Sequence, residues 1–266
     1  MKKIVRMENV SEAVARPGHR QHGRRGLLCD ITLDIDRGER IGLIGAPGAG
    51  KSALLNLIAG HVRPAAGLIL CNDRRVTGPG PDRAVVFPNH ALLPWLTCFD
   101  NVYLAVERVF GAKEGKAKLK QRTHDALARL ALTQAEAWFP HEIPIDMKQR
   151  VGLARALAMQ PLILLLDDPF AMLDAPARAR LQDELATILG ETGMTLVLAT
   201  RDADEALLLC DRVVLLSGGR TLASDILDVK LERPRDRQML ATAPAFVAAR
   251  AAITSFVLRD ERRHAA

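Results

Sequence analysis

The stretch "IGLIGAPGAGKSALL", residues 41–55, places a glycine-rich turn between an apolar segment and the start of a helical pattern. Its spacing is G-x-x-x-x-G-K-S, which runs from Gly45 to Ser52. This spacing forms a P-loop when a strand precedes it and a helix follows it. We therefore predict an α/β fold of the P-loop NTPase type, built around this turn.

The residue types in this turn suit a bound nucleotide. Glycines let backbone N–H groups curl around phosphate oxygens. We expect Lys51 to reach the terminal phosphates and the Ser52 hydroxyl to contact Mg²⁺, while the following helix points its positive end at the same anion. A glycine turn that only joined a strand to a helix would not need the Lys-Ser pair. The predicted nucleotide-binding residues are Gly45, Ala46, Pro47, Gly48, Ala49, Gly50, Lys51, Ser52 and Ala53.

A second stretch, "LILLLDDPF" at residues 162–170, is an apolar run that ends in Asp167 and Asp168. An acid at the end of a buried strand is the Walker B position, where it makes a second contact to Mg²⁺. Two acids at a strand end can also simply cap the next loop. Because a P-loop is present in the same chain, we favour the metal role for Asp167 and predict ATP and Mg²⁺ as the ligands.

The apolar segments along the chain predict an α/β core with an inserted helical part. The strands are predicted at residues 4–10, 28–35, 41–45, 68–71, 84–87, 162–167, 195–200 and 212–217. Apolar runs separated by helices indicate a parallel sheet covered on both faces. Helical spacing dominates about residues 88–160, with helices predicted at 98–109, 118–132 and 147–160. We predict an ATPase domain at 1–220 and a tail at 221–266 that carries a helix from about residue 244 to 258.

Composition and charge limit the function classes. The 266 residues are 48% hydrophobic, contain no apolar run long enough for a membrane span and begin without a signal-peptide pattern, so we expect a cytoplasmic protein. The four cysteines are far apart, as expected of free thiols. The net charge is +6, but no aromatic residues interleave with the basic clusters at 20–25 and 113–122, so we expect no nucleic-acid partner.

Beyond these motifs, nearly the whole chain resembles the ATP-binding subunits of ABC transporters. The resemblance is greatest to the importer branch for nitrate, cyanate, bicarbonate, sulfonate and taurine, and to its nitrate type. It implies a peripheral location on the cytoplasmic face of the inner membrane, a head-to-tail dimer and a transmembrane permease. It also implies that residues 92–95 contact the permease and that Asp174 is the D-loop acid. The stretches that carry it are "NHALLPWLTCFDNVYLAVERVF", "MKQRVGLARALA", "LLLDDPF", "LDA" and "LERPRDR".

Five features depart from this family, and all concern the nucleotide. Arg201 replaces the switch histidine, and Asp168 is a shorter acid than the catalytic glutamate. No aromatic residue precedes Phe87, so the usual stacking partner of adenine is missing; His19, His22 or a nearby arginine is a weak substitute. The remaining two are Pro88, in place of the Q-loop glutamine, and Pro144-Ile145-Asp146, in place of the signature Ser-Gly-Gly.

The altered signature should refuse a phosphate. Pro144 has no N–H to donate, Ile145 adds a branched side chain, and Asp146 adds a negative charge. Two like unit charges about 4 Å apart repel by roughly 1 to 4 kcal/mol, depending on screening. We also expect Asp146 and Gln149 to form a capping box, which stabilises a helix by about 0.5 to 2 kcal/mol.

Three hypotheses follow from this mixture of kept and altered motifs. The favoured one is a degenerate nucleotide-binding subunit that binds ATP, hydrolyses it poorly and pairs with a second, intact ABC ATP-binding subunit. Asp168 is then a weak catalytic base, and Arg201 cannot shuttle a proton as a histidine does because a guanidinium has no acceptor nitrogen. The alternative is a conventional ATP-hydrolysing importer subunit that tolerates the changes. The third is a binding module that has left transport.

Overall fold

The computed structural model describes residues 2–12, 28–217 and 225–265, and these form two compact units. The first unit combines Met1–Pro79 with Gly193–Ala266, and the second is Gly80–Thr192. The chain thus leaves the first unit once and returns to it. His19 and His22 lie outside the described residues.

One sheet of the first unit is antiparallel, with the strand order β2-β1-β4-β5. Strand β2 alternates regularly, with Ile31, Leu33 and Ile35 buried and the residues between them more exposed. This period of two is typical of a sheet that covers a core with one face. The four strands are β1 (Lys3–Glu12), β2 (Leu28–Asp36), β4 (Ala66–Cys71) and β5 (Arg74–Arg75).

The other strands of the first unit form a mainly parallel arrangement in the order β10-β9-β3-β8. They are β3 (Arg40–Ile44), β8 (Thr195–Thr200), β9 (Arg212–Leu215) and β10 (Asp225–Asp228), of which β10 runs antiparallel to β9. Every residue of β3 and of β8 is buried. Such uninterrupted burial is expected of parallel strands with both faces covered, as the apolar runs predicted.

Four helices accompany these strands in the described part of the first unit. Helix α1 (Lys51–Ala59) follows β3, and α6 (Ala203–Leu209) follows β8. The C-terminal helices α7 (Arg237–Thr242) and α8 (Pro244–Ala265) pack against each other, and α8 packs on α6. Arg235 anchors the turn before them, since its guanidinium donates to the carbonyl oxygens of Leu207 at 2.7 Å and Cys210 at 2.5 Å.

The second unit pairs β6 (Arg83–Val86) with β7 (Ile163–Asp167) in parallel and adds a group of helices. Three of them, α2, α3 and α4, pack on one another, which confirms the predicted helical region. The helices are α2 (Cys98–Phe110), α3 (Lys116–Ala128), α4 (Ile145–Ala158) and α5 (Ala175–Thr192).

The predicted strands are all present, with ends that differ by at most two residues. The helix predicted at 118–132 instead ends at Ala128, and Ala131 has φ 55°, which a continuing α-helix does not allow. The helix predicted from residue 147 begins at Ile145, and the tail helix continues to Ala265. Among the described helices, none combines the length and apolar character that crossing a membrane requires.

Candidate functional site

The glycine-rich turn between β3 and α1 adopts backbone conformations that only glycine takes readily. Gly48 has φ 83° and Gly50 has φ 93°. Gly45 is required for a different reason, because a Cβ there would lie 2.3 Å from the carbonyl oxygen of Leu216 and 2.8 Å from the Cβ of Ala49. The predicted loop is therefore built as a close-fitting backbone turn.

Lys51 folds back over this turn. Its Nζ donates to the carbonyl oxygen of Gly45 at 2.6 Å and to that of Ala46 at 3.1 Å. Helix α1 starts after Gly50, which offers no side chain as a cap, and its first turn contains no acidic residue. The positive end of α1 is therefore not neutralised by its own sequence, and this arrangement fits the phosphates of a nucleotide.

Within the first unit, Arg201 emerges beside the P-loop. Strands β3 and β8 are parallel neighbours, with Ile44 opposite Thr200, so the chain leaves both strands at the same edge of the sheet. Gly45 and Arg201 are the next residues on the two strands. Ligands of open α/β sheets bind beyond the carboxyl ends of such strands. The exposed Arg201 side chain thus starts from the edge at which a nucleotide would lie.

A buried contact that the sequence analysis missed supports the segment around Arg201. The Thr200 hydroxyl donates to the Glu205 carboxylate at 2.6 Å, and Glu205 is only 5% exposed. Asp202 is the N-cap of α6, and its side chain accepts from the backbone N–H groups of Asp204 and Glu205. The spacing D-x-x-E just after an apolar strand could have signalled this helix start.

In the second unit, the acids of the Walker B stretch follow the parallel pair of β6 and β7. Val86 lies opposite Leu166, so Pro88 and the pair Asp167-Asp168 leave the same edge of this unit's strands. Asp167 and Asp168 are both half-buried. Asp168 has φ 46°, a left-handed conformation that aspartate tolerates better than most residues. The structure thus brings Pro88 and both acids to one end of the second unit.

The cap at the start of α4 also differs from the prediction. Pro144 is the N-cap residue, with φ −68° and ψ 167°, and no side chain caps the helix. Ile145 is 41% exposed, and Asp146 lies in the first turn. The predicted capping box of Asp146 with Gln149 is wrong. A proline with this φ starts a helix without a side-chain bond, and Asp146 is therefore already inside the helix.

Gln149 instead faces a segment far away in the sequence. Its Oε1 lies 2.5 Å from Nδ1 of His90, and both side chains are buried. Arg155 donates to the carbonyl oxygen of Ala91 at 2.7 Å and to that of His90 at 3.0 Å, and burial lowers the pKa of its guanidinium. A Cβ at Gly152 would lie 3.3 Å from the same His90 oxygen. We name the residues His90, Gln149 and Arg155 the α4 clamp.

Asn101 fixes the segment at residues 92–95, which the resemblance implies contacts a permease, through hydrogen bonds to the backbone. This buried side chain donates to the carbonyl oxygens of Leu93 and Thr97, at 3.1 and 2.9 Å, and accepts from the Leu93 N–H at 2.8 Å. Trp95 is 70% exposed. Asp174, the expected D-loop acid, accepts from the backbone N–H of Ala177 at 2.8 Å in the first turn of α5.

The sequence of this chain is similar to those of known transport proteins. The sequence profile of the family described as ABC transporter matches residues 28–171. The chain is 46% identical over 266 residues to the nitrate transport protein NasD of Klebsiella oxytoca, with 100% of both chains covered. It is 43% identical to the nitrate import ATP-binding protein NrtC of Synechococcus elongatus, with 99% of this chain and 39% of that protein covered.

The fold has solved counterparts as well. A dimeric ATP-binding cassette in a post-hydrolysis state, bound to ADP and Pi, superposes with a TM-score of 0.76 at 24% identity, covering 86% of this chain and 100% of that chain. This confirms the predicted α/β P-loop NTPase fold of the ABC ATPase type. The chain therefore belongs to the ABC transporter family, in the branch that contains the nitrate and bicarbonate transport ATP-binding proteins.

Proposed function

We propose that this chain is the ATP-binding subunit of an importer for nitrate or a related anion, and that it binds ATP with Mg²⁺ but hydrolyses it poorly. It works at the cytoplasmic face of the inner membrane with a transmembrane permease and a second ATP-binding subunit whose signature is intact. The observation that carries the proposal is the start of α4, where Pro144 is the N-cap and Ile145 and Asp146 open the helix. The family resemblance implies a phosphate-binding turn at these three residues.

ATP binding is supported by the turn from Gly45 to Ser52. Its glycines occupy left-handed or sterically closed positions, and the positive end of α1 carries no acidic side chain. In this proposal the backbone amides of the turn and Lys51 hold the phosphates, and Ser52 and Asp167 hold Mg²⁺. Bound Mg²⁺ supplies charge stabilisation for phosphoryl transfer.

The first residues of α4 explain why this helix does not bind the phosphates of a partner's ATP. Pro144 offers no N–H, the partly exposed Ile145 side chain occupies space where close phosphate approach needs a bare backbone, and Asp146 places a carboxylate in the first turn. A carboxylate about 4 Å from a phosphate costs about 1 to 4 kcal/mol per charge pair. A partner's triphosphate is therefore repelled at the helix end that would otherwise attract it.

Slow hydrolysis at the chain's own P-loop follows from two further residues. Asp168 is one methylene shorter than glutamate, and a misplacement of about 1 Å can cost roughly a hundredfold in rate. Arg201 keeps a cation at the edge of β3 and β8, but its guanidinium has no acceptor nitrogen with which to replace a histidine as proton shuttle. Binding is thereby kept while the chemical step is weakened.

A heterodimer follows from the same reasoning. Two copies of this chain would present two altered signature helices, each with Pro144 and Asp146 at its start. Neither of the two bound nucleotides would then be contacted by a working signature helix. An intact partner provides one working signature for the ATP bound by this chain. We further propose that residues 1–220 form the ATPase domain and that residues 221–266 form the tail.

Stepwise restoration of the family residues tests this function. The purified chain should turn over ATP far more slowly than the roughly 1 s⁻¹ at the low end of ordinary enzymes. The triple variant Pro144→Ser, Ile145→Gly, Asp146→Gly should raise the ATPase rate at least tenfold. Adding Asp168→Glu and Arg201→His should raise the rate further, because these changes restore the family's catalytic glutamate and switch histidine.

The matched control is the restored protein with Lys51→Ala, which should lose both the regained turnover and the binding of a fluorescent ATP analogue. Ordinary turnover by the unmodified chain, unchanged by the triple substitution, would instead support the conventional ATPase. Co-purification with a permease separates both from a free-standing binding module, which should be isolated without one.

A further inference from the structure

A cleft in the C-terminal part of the first unit takes no part in the nucleotide chemistry. It lies between α6, α7 and α8 and has a volume of about 240 Å³. A cavity of this size holds a small organic molecule, since a water molecule occupies about 30 Å³ of liquid. The lining residues are Asp204, Leu208, Arg237, Leu240, Phe246, Val247 and Arg250. We name these residues the C-terminal cleft.

The cleft combines an apolar floor with a charged rim. Leu208, Leu240 and Phe246 are 6%, 7% and 8% exposed, so they form the floor, whereas Val247 is 53% exposed and lies at the mouth. An apolar floor with a few polar groups is the usual composition of a small-molecule site. The floor therefore selects a ligand with an apolar part.

The rim carries two guanidinium groups and one carboxylate. Arg250 Nε lies 2.8 Å from Asp204 Oδ1, and the two side chains are 58% and 47% exposed. Arg237 lies on the same rim, so the charged groups sum to one net positive charge. Burial raises the pKa of Asp204, which means that its carboxylate is held at some cost. An anion is thus favoured over a cation.

We propose that the C-terminal cleft binds a small organic monoanion, a carboxylate with a short apolar tail. The carboxylate lies between Arg237 and Arg250, where planar guanidinium groups match its geometry, and the tail covers the floor at Leu240 and Phe246. Binding draws Arg250 partly away from Asp204. The evidence for binding here does not rest on the nucleotide function proposed above.

The position of Asp204 gives this site a regulatory consequence. Asp204 donates its backbone N–H to the Asp202 side chain at 2.8 Å, and Asp202 directly follows Arg201. Arg201 leaves the sheet edge beside Gly45. An anion that loosens the ion pair between Arg250 and Asp204 therefore acts on the first turn of α6, next to the residue in the switch position.

Calorimetric titration of the full chain with acetate, butyrate, hexanoate and octanoate tests the site. Each buried methylene should tighten binding about fourfold, so butyrate and hexanoate, each two methylenes longer than the acid before, should each bind about sixteenfold more tightly than that acid. Sodium sulfate is the charge-only probe and should bind more weakly than hexanoate. Equal affinities for sulfate and hexanoate, or no binding by any of these anions, would overturn the proposal.

Three variants separate the parts of the site. Asp204→Asn should tighten hexanoate binding about fivefold because it removes a competing carboxylate, whereas a cation site would weaken. Arg237→Gln should weaken binding by a similar factor, and Val247→Trp should abolish it by filling the mouth. The matched controls on α8 outside the cleft are Arg259→Gln and Leu258→Trp, which should leave the affinity unchanged. Loss of binding in these controls but not in the cleft variants would contradict the assignment.

Discussion

Nδ1 of His90 and Oε1 of Gln149 form a buried hydrogen bond of 2.5 Å. Because an amide oxygen only accepts, this bond requires the tautomer in which Nδ1 of His90 carries the proton. The two residues are 59 positions apart, and their contact joins the segment after Pro88 to the first turns of α4. Within the second unit, the segment after Pro88 and helix α4 are thus linked by a side-chain bond, and Arg155 reinforces this link.

Removing the acceptor from this bond should destabilise the protein. Gln149→Leu leaves the His90 N–H buried without an acceptor, which costs about 1 to 3 kcal/mol. Urea unfolding measures the loss as a lower midpoint. The matched control is Gln121→Leu, which removes an exposed contact to Asp125 on α3 and should change stability by less than about 0.5 kcal/mol. Equal effects of the two substitutions would show that the α4 clamp has no stabilising role.

Restoring a side-chain cap to α4 should stabilise that helix. Pro144→Ser places a hydroxyl at an N-cap that now has no side-chain hydrogen bond, for a gain of about 1 kcal/mol. The reference change is Thr97→Ala on α2, where the Thr97 hydroxyl accepts from the Asp100 N–H at 3.1 Å and its loss should cost about 1 kcal/mol. Thermal unfolding should show a higher melting temperature for Pro144→Ser and a lower one for Thr97→Ala. A lower melting temperature for Pro144→Ser would contradict the assigned helix start.

A side chain at Gly45 should lower both the stability of the protein and its affinity for ATP, because the position has no room for a Cβ. Gly45→Ala forces a Cβ against the Leu216 carbonyl oxygen and should cost about 1 to 3 kcal/mol of stability, with an ATP affinity at least tenfold weaker. Gly190→Ala adds a methyl into open space on α5 and should stabilise by about 0.5 to 1 kcal/mol without changing ATP affinity. Unfolding curves and ATP titrations distinguish the two, and unchanged ATP affinity in Gly45→Ala would exclude this turn as the nucleotide site.

Burial of three thiols should make them inert in the folded protein. Cys71, Cys98 and Cys210 are buried, whereas Cys29 is partly exposed. Burial raises the pKa of the Cys98 and Cys210 thiols, so little reactive thiolate forms at neutral pH. A colorimetric thiol reagent should therefore label Cys29 alone in the native state and all four cysteines after denaturation.

The same raised pKa values give stability a pH dependence with a definite sign. Above an ordinary thiol pKa of about 8.5, the unfolded chain loses protons that the folded chain keeps, so stability falls as pH rises. Cys210→Ala should flatten this slope in urea unfolding measured between neutral and alkaline pH. A slope that is unchanged by the substitution, or native labelling of Cys210, would contradict the assigned burial.

Local patterns predicted much of the fold because their physics is local. The G-x-x-x-x-G-K-S spacing requires a strand, a tight backbone turn and a helix, and the structure has all three at residues 40–59. Apolar runs likewise predicted the parallel strands, because only burial on both faces tolerates them. The prediction of a capping box was wrong because the spacing that suggested it is common, and the Gln149 side chain bonds to His90 instead.

By itself, the sequence determined the P-loop type, the α/β class, the family resemblance and the residues that depart from it, because each depends on residue identity at short spacing. Only the tertiary structure decided that Gly45 is closed by Leu216, that His90 binds Gln149, and that a cleft opens between α6, α7 and α8. These contacts join residues far apart in the chain. They form only when packing brings distant segments together, and no local pattern encodes that meeting.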